Sequence, residues 1–257
     1  MNLHFESKIA EHYKSRSQII RVLTEDWIKR NQYCPICGND ILTNYEANKP
    51  VADFYCIYCK SDFELKSKEN KKGLLGNKIA DGAYNTMIDR ITSMQNPNFL
   101  FLTYNNNSVN NLILIPNHFF VPSIIEKRKA LSDNARRAGW VGCNINIGEI
   151  PDNGKIFIIK NNFSIEREKV ISNYNKTKSL QTSNLESRGW IMDILICINK
   201  IPTDEFSLKQ MYDFENELKL KHPENNFIKD KIRQQLQYLR GKGFIEFKSP
   251  GNYKKIL

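Results

Sequence analysis

Two sets of residues in the first quarter of the chain have the types and spacing that chemistry requires: Asp53, Glu64 and Lys66, and the cysteines Cys34, Cys37, Cys56 and Cys59. Hydrolysis of a phosphodiester needs the charge at the scissile phosphate neutralised and a water activated, and carboxylates holding Mg²⁺ supply both. In an extended strand Glu64 and Lys66 share a face while Leu65 points the other way, into the core. Asp53 and Glu64 lie equally far from a point between Tyr58 and Cys59. A hairpin centred there sets the two carboxylates directly opposite one another, with Cβ atoms about 4.5–5.5 Å apart and able to share one hydrated ion. The pattern D-x10-E-x-K is weakly specific alone. Pro50 and Val51 ahead of Asp53, and Phe63 and Leu65 around Glu64, strengthen it.

Cys34-x2-Cys37 and Cys56-x2-Cys59, eighteen residues apart, have the spacing of a four-thiolate tetrahedral zinc site. Such a closed set leaves no open coordination position, so the zinc is expected to be structural and to fix the hairpin that presents Asp53 and Glu64. Cys143 and Cys197 are isolated among apolar residues and read as buried thiols. Paired cysteine knuckles also accompany His-metal nucleases, which need a histidine base. The four histidines are His4, His12, His118 and His222, none within or shortly after the cysteine pairs. Each is expected at the surface or in a turn.

The elements that must position these groups follow from apolar spacing. Ile19, Ile20, Leu23, Trp27 and Ile28 recur three and four apart, predicting an amphipathic helix over 15–30. Two short strands are expected at 51–55 and 62–67, and a helix over 79–94 with Ala83, Met87, Ile91 and Met94 on one face. Strands at 98–104 and 111–116 are separated by the turn-forming run 105–108, and 155–160 is an expected edge strand. Residues 119–154 resist assignment, and 161–186 is polar and weakly periodic, which sets a domain boundary near Ser183. Helix, strands, helix, strands implies an α/β or α+β domain with a mixed sheet.

The last 75 or so residues read as three helices and a hairpin, a winged helix-turn-helix. Trp190, Ile191, Ile194, Leu195 and Ile198 mark the first helix. Phe206 fits a short strand, and Ser207 with Gln210 forms a capping box for a second helix running to Leu220. Ile228, Ile232, Leu236 and Leu239 mark a third, stopping at Gly241 and Gly243. FIEF and YKKI then flank the turn Ser249-Pro250-Gly251-Asn252. Lys+Arg 38 against Asp+Glu 28 gives a net charge of +10, which favours a polyanionic partner. The charge is polarised: residues 183–224 carry 5 Lys/Arg and 8 Asp/Glu, whereas 225–257 carry 8 and 2. No apolar run is long enough to span a bilayer and the start carries no leader pattern, so a cytoplasmic location is expected.

The segments LTEDW, YCPICG, KPVADFYC, FELKSK, DGAYNTM, NFLFLTY, ARRAGWVGCNI, ESRGW and KIRQQLQYLR together resemble the DpnI-like methyl-directed restriction endonucleases, PD-(D/E)xK nucleases with a winged-helix domain. The likeness runs over essentially the whole chain; Glu69 to Lys78 is its clearest departure. It implies a PD-(D/E)xK catalytic domain over 1–182 with the zinc site and a winged helix over 183–257. It further implies Mg²⁺-dependent cleavage of double-stranded DNA at GATC containing 6-methyladenine, and two units that each bind methylated DNA. Carried over motif by motif, Asp53, Glu64 and Lys66 are the catalytic group, with Asp53, Glu64 and Leu65 expected to hold Mg²⁺. A methyl on adenine's exocyclic amine lies in the major groove, read by apolar contact. Arg136, Arg137 and Trp140 are the candidate contacts in the first domain. Asn226, Asp230, Arg233, Gln234 and Gln237, on the polar face of the third C-terminal helix, are those in the second. Trp27 and Trp190 fall on apolar helix faces and are expected in the core. A monomer in solution is expected. The alternative is a non-enzymatic zinc-containing winged-helix regulator in which Asp53 and Glu64 are only strand residues.

Overall fold

The apolar run from Asn98 to Tyr104 is buried at every position, which requires cover on both faces of its strand. The computed structural model, which describes residues 1–46 and 52–256, supplies that cover. In chain order the first part comprises α1 (Arg16–Asn31), β1 (Thr43–Asn44), β2 (Phe54–Tyr55), β3 (Asp62–Glu69), β4 (Lys78–Ala83), α2 (Tyr84–Thr92), β5 (Asn98–Asn105), β6 (Ser108–Ile115), β7 (Ile125–Lys127), β8 (Gly142–Asn146), β9 (Ile156–Lys160), β10 (Phe163–Ser164) and α3 (Arg167–Lys178). A mixed seven-stranded sheet runs β1-β2-β3-β5-β6-β9-β10, with β3 and β5 parallel and the other neighbours antiparallel. Leu100, Leu102, Leu112 and Leu114 face Leu23, Trp27 and Ile28 of α1. Phe99, Phe101, Ile113 and Ile115 face Met87 and Ile91 of α2 together with Phe119 and Phe120.

Several expectations change. The expected strand start at Val51, like Pro50, lies outside the described residues. The helix expected from Ile79 begins only at Tyr84: Lys78–Ala83 is β4, the edge of a second sheet ordered β4-β8-β7. Ile79 pairs with Ile145 there, so sheet pairing overrides a four-residue spacing that Ile79 shares by coincidence. Met94, at φ +61 and exposed, lies past the helix end. The β5–β6 connection is a two-residue turn, with Asn106 and Asn107 at φ 46 and 64, as suits asparagine in a hairpin. β9 is flanked by β6 and β10 and is therefore not the edge. The polar stretch before Ser183 contains α3, whose only buried residues are Val170 and Thr177; that narrow footprint explains the weak periodicity.

The C-terminal part comprises α4 (Leu185–Lys200), β11 (Glu205–Ser207), α5 (Leu208–Tyr212), α6 (Glu215–Lys221), α7 (Ile228–Gly241), β12 (Ile245–Ser249) and β13 (Asn252–Lys255), with a sheet ordered β11-β13-β12. The Ser207–Gln210 capping box is present. The second helix is broken at Asp213–Phe214, which lets Met211 and Leu218, both fully buried, reach one core from two axes. Trp190, Ile194 and Leu195 of α4 join the same cluster as Met87, Ile91 and Phe120. The buried Arg188 donates to the carbonyls of Phe120 (3.2 Å) and Ile91 (3.4 Å), tying the two parts together. Trp27 and Trp190 are core residues.

Candidate active site

The β2–β3 hairpin pairs Phe54 with Phe63 and Tyr55 with Asp62, so the register places Asp53 across from Glu64. Asp53 donates its amide to the Phe63 carbonyl (3.0 Å), and its Oδ2 accepts the Leu65 amide (2.7 Å). Glu64 and Lys66 share one face of β3, with Lys66 Nζ 2.6 Å from Glu64 Oε1. Leu65 is on the other face, half-buried against the α1-side core.

Two residues not singled out from the sequence complete the group. Lys66 Nζ also meets Asp81 Oδ1 at 2.5 Å, and Arg90 of α2 donates to Glu64 Oε2 at 2.6 Å. Asp81 lies on β4, its side chain only 5% exposed; it reaches the site through the second sheet, a long-range pairing that local spacing does not signal. The one trace in the sequence is the segment DGAYNTM, quoted above without a role. Burial pushes the Asp53 carboxyl above its ordinary range, and the Leu65 amide only partly offsets this. Burial acts on Glu64 the same way, but the charges of Lys66 and Arg90 outweigh it and hold the group below the usual carboxylate range. For Lys66 burial opposes the charge, while Glu64 and Asp81 outweigh it and raise the pKa. The result is a cluster in which Glu64 and Asp81 meet Lys66 and Arg90, with a third carboxylate, Asp53, across the hairpin.

The cysteine sulfurs of Cys34, Cys37, Cys56 and Cys59 all lie within 4.8 Å of one another. The pairs Cys34–Cys59 and Cys37–Cys56 are each 3.6 Å apart. A tetrahedron of thiolates about 2.3 Å from zinc has edges of about 3.8 Å, so the sulfurs could hold such an ion. The two knuckles fold alike. The Gly38 amide donates to the Cys34 carbonyl and the Lys60 amide to that of Cys56 (2.8 and 2.9 Å), with Gly38 and Lys60 both at positive φ. Burial pushes the Cys34 thiol up. Burial does the same at Cys59, but hydrogen bonds from Ser61 and its cysteine neighbours leave it lowered. α3 braces the first knuckle: the Arg167 guanidinium stacks on Tyr33 (4.6 Å) and donates to Asp40 (2.6 Å). Cys143 and Cys197 are buried free thiols, pushed by burial up to about 11 and about 12. His118, expected at the surface or in a turn, sits in a turn but is buried, and burial pushes it down to about 4.

Trp140 is half-buried in the β7–β8 loop, with the Arg137 guanidinium 4.8 Å over its ring and Gly142 beneath it, where a Cβ would fall 2.8 Å from the ring. Arg136 and Arg137 are exposed. The loop springs from β8, whose Cys143 pairs with Asp81, so its base adjoins the carboxylate cluster. Asp230, Arg233, Gln234 and Gln237 are exposed on α7. Asp230 pairs with Arg233, which also donates to the Tyr212 hydroxyl (3.1 Å). Asn226 is not on the helix: it precedes the start at Ile228, and its Oδ1 accepts from Lys219 (3.0 Å).

Among the described residues no helix is long and apolar enough to cross a membrane. The family model DpnI, described as the Dam-replacing family, matches residues 1–183, and the Dam-replacing HTH domain model matches residues 186–255. With the first match spanning well over half of the chain and the second falling on α4 to α7 and the β12–β13 wing, the protein belongs to the DpnI, or Dam-replacing, family of methyl-dependent restriction endonucleases.

Proposed function

We propose that this endonuclease cleaves double-stranded DNA at GATC when its adenine carries a 6-methyl group, using Mg²⁺ held by Asp53, Glu64 and the main-chain carbonyl of Leu65. The observation that carries the reading is the juxtaposition of Asp53 across from Glu64 with Lys66 two residues on. An all-oxygen donor set of this kind suits a hard divalent cation. When bound, Mg²⁺ neutralises the scissile phosphate and lowers the pKa of a coordinated water. Arg90 fixes the Glu64 rotamer from one oxygen. Lys66, kept charged by Glu64 and Asp81, orients the attacking water and meets the negative charge that builds on the phosphate. Asp81 holds the same ammonium from a second side.

Cutting belongs to residues 1–182, in the PD-(D/E)xK manner, with a structural zinc on the four cysteines. A second, winged-helix reader occupies 183–257, in a chain that is monomeric in solution and acts in the cytoplasm. Trp140 meets the methyl group from the first unit, with Arg136 and Arg137 beside it. Asp230, Arg233, Gln234 and Gln237 face base edges from the second, and Asn226 lies at the entrance to that helix. Substituting Asp53→Ala or Glu64→Ala is expected to abolish cutting with Mg²⁺ while a gel shift of methylated duplex persists. Wild-type cutting by either variant contradicts the site. A wild-type protein that shifts the duplex but cuts with neither Mg²⁺ nor Mn²⁺ is instead a regulator.

A further inference from the structure

A cavity of about 440 Å³, within the roughly 300–1,000 Å³ typical of small-molecule sites, opens at the seam between the two parts of the chain. Its walls are α3 and β9 on one side, and α4, β12 and β13 on the other. The floor is apolar: Phe157, Leu195, Ile198, Phe244 and Ile245. The rim is cationic, with Lys155, Lys160, Lys169, Lys176 and Lys255 against one carboxylate, Asp152. Two of the lysines are engaged, Lys155 by Asp152 (3.0 Å) and Lys255 by the Ile201 carbonyl (2.5 Å). Lys160 lies over the Phe157 ring (5.0 Å). Lys169 and Lys176, seven apart on one face of α3, have no ion-pair partner among the described residues. Three asparagines, Asn153, Asn173 and Asn199, add polar groups to the lining.

We propose that this seam binds a free nucleoside phosphate. The apolar floor accepts a flat base, the lining asparagines Asn153, Asn173 and Asn199 put amide groups beside it, and Lys169 and Lys176 take the phosphate. Inorganic phosphate alone satisfies only the rim, and a base-paired duplex cannot enter the cavity. The strands β5 and β6 lie between β9 and β3 in the sheet and the cavity shares no residue with the carboxylate cluster, so its failure leaves the nuclease reading intact.

The test is calorimetric titration of the full chain with AMP and CMP, and separately with inorganic phosphate, without added Mg²⁺. Saturable binding of at least one nucleotide is expected, with inorganic phosphate about tenfold weaker or more. The double variant Lys169→Ala, Lys176→Ala, both exposed positions, should weaken nucleotide binding by about tenfold or more while still cutting methylated plasmid. The proposal is overturned by absence of saturable nucleotide binding or by equal affinity for inorganic phosphate. Affinity untouched by the double substitution, or displacement of the nucleotide by unmethylated duplex, also overturns it.

Discussion

Lys66 is held by two carboxylates, Glu64 and Asp81, and removing the lysine differs in outcome from removing the charge of Asp81. Lys66→Ala should still bind methylated duplex but lose about 10²–10³ in the single-turnover cutting rate, the scale of a lost transition-state donor; normal turnover removes Lys66 from the mechanism. Asp81→Asn keeps a hydrogen-bond partner but loses the charge, and should lower the cutting rate by about tenfold or more with duplex affinity unchanged. A variant that cuts at the wild-type rate makes Asp81 a packing residue only. The Asp53–Glu64–Lys66 part of this group was legible in the chain because hairpin register is arithmetic over a short loop. Asp81 and Arg90 were not, since each arrives on a separate element whose approach is set by packing between two sheets.

At the scale of elements, Cys56 and Cys59 sit at the tip of the β2–β3 hairpin, where a zinc ion held together with Cys34 and Cys37 would fix the register of the carboxylates. Removing the metal with a chelator, or making Cys34→Ser, should lower the melting temperature by roughly 10 °C or more and abolish cutting together, since structural zinc contributes directly to folding. Cutting that survives complete removal of zinc shows the hairpin to be self-sufficient. On α7, the exposed Arg233 and Gln234 should each cost about 1–3 kcal/mol of methylated-site affinity when changed to alanine, if they read base edges. A uniform loss across all duplexes instead makes them backbone contacts. α1, β5, β6, α4 and α7 could be read from apolar spacing because each buries a broad stripe. α3 could not, burying two residues, and β4 was mistaken for helix because Ile79 fell four residues from Ala83.

At the scale of the whole molecule, the shared core and Arg188 join the first part of the chain to the winged helix. The buried His118 lies in the same region, close to Arg188 in the field that acts on it. Burial holds it neutral, with a folded pKa of about 4 against an unfolded value of about 6.5. The unfolded chain therefore binds the extra proton between those values, and this contribution destabilises the fold as pH falls from about 6.5 toward 4. Denaturant midpoints at pH 7 and pH 5 should show a smaller acid loss for His118→Gln than for wild type; an equal loss places the acid sensitivity elsewhere. The proposed function has both parts of the chain contact methylated DNA, so methylation should govern the outcome as a whole. The direct measurement is incubation, with Mg²⁺, of one GATC-containing plasmid prepared from an adenine-methylating host and from a non-methylating one. Fragmentation of the first at its GATC sites with the second left intact is the predicted result; cutting of both, of neither, or of the second alone contradicts it.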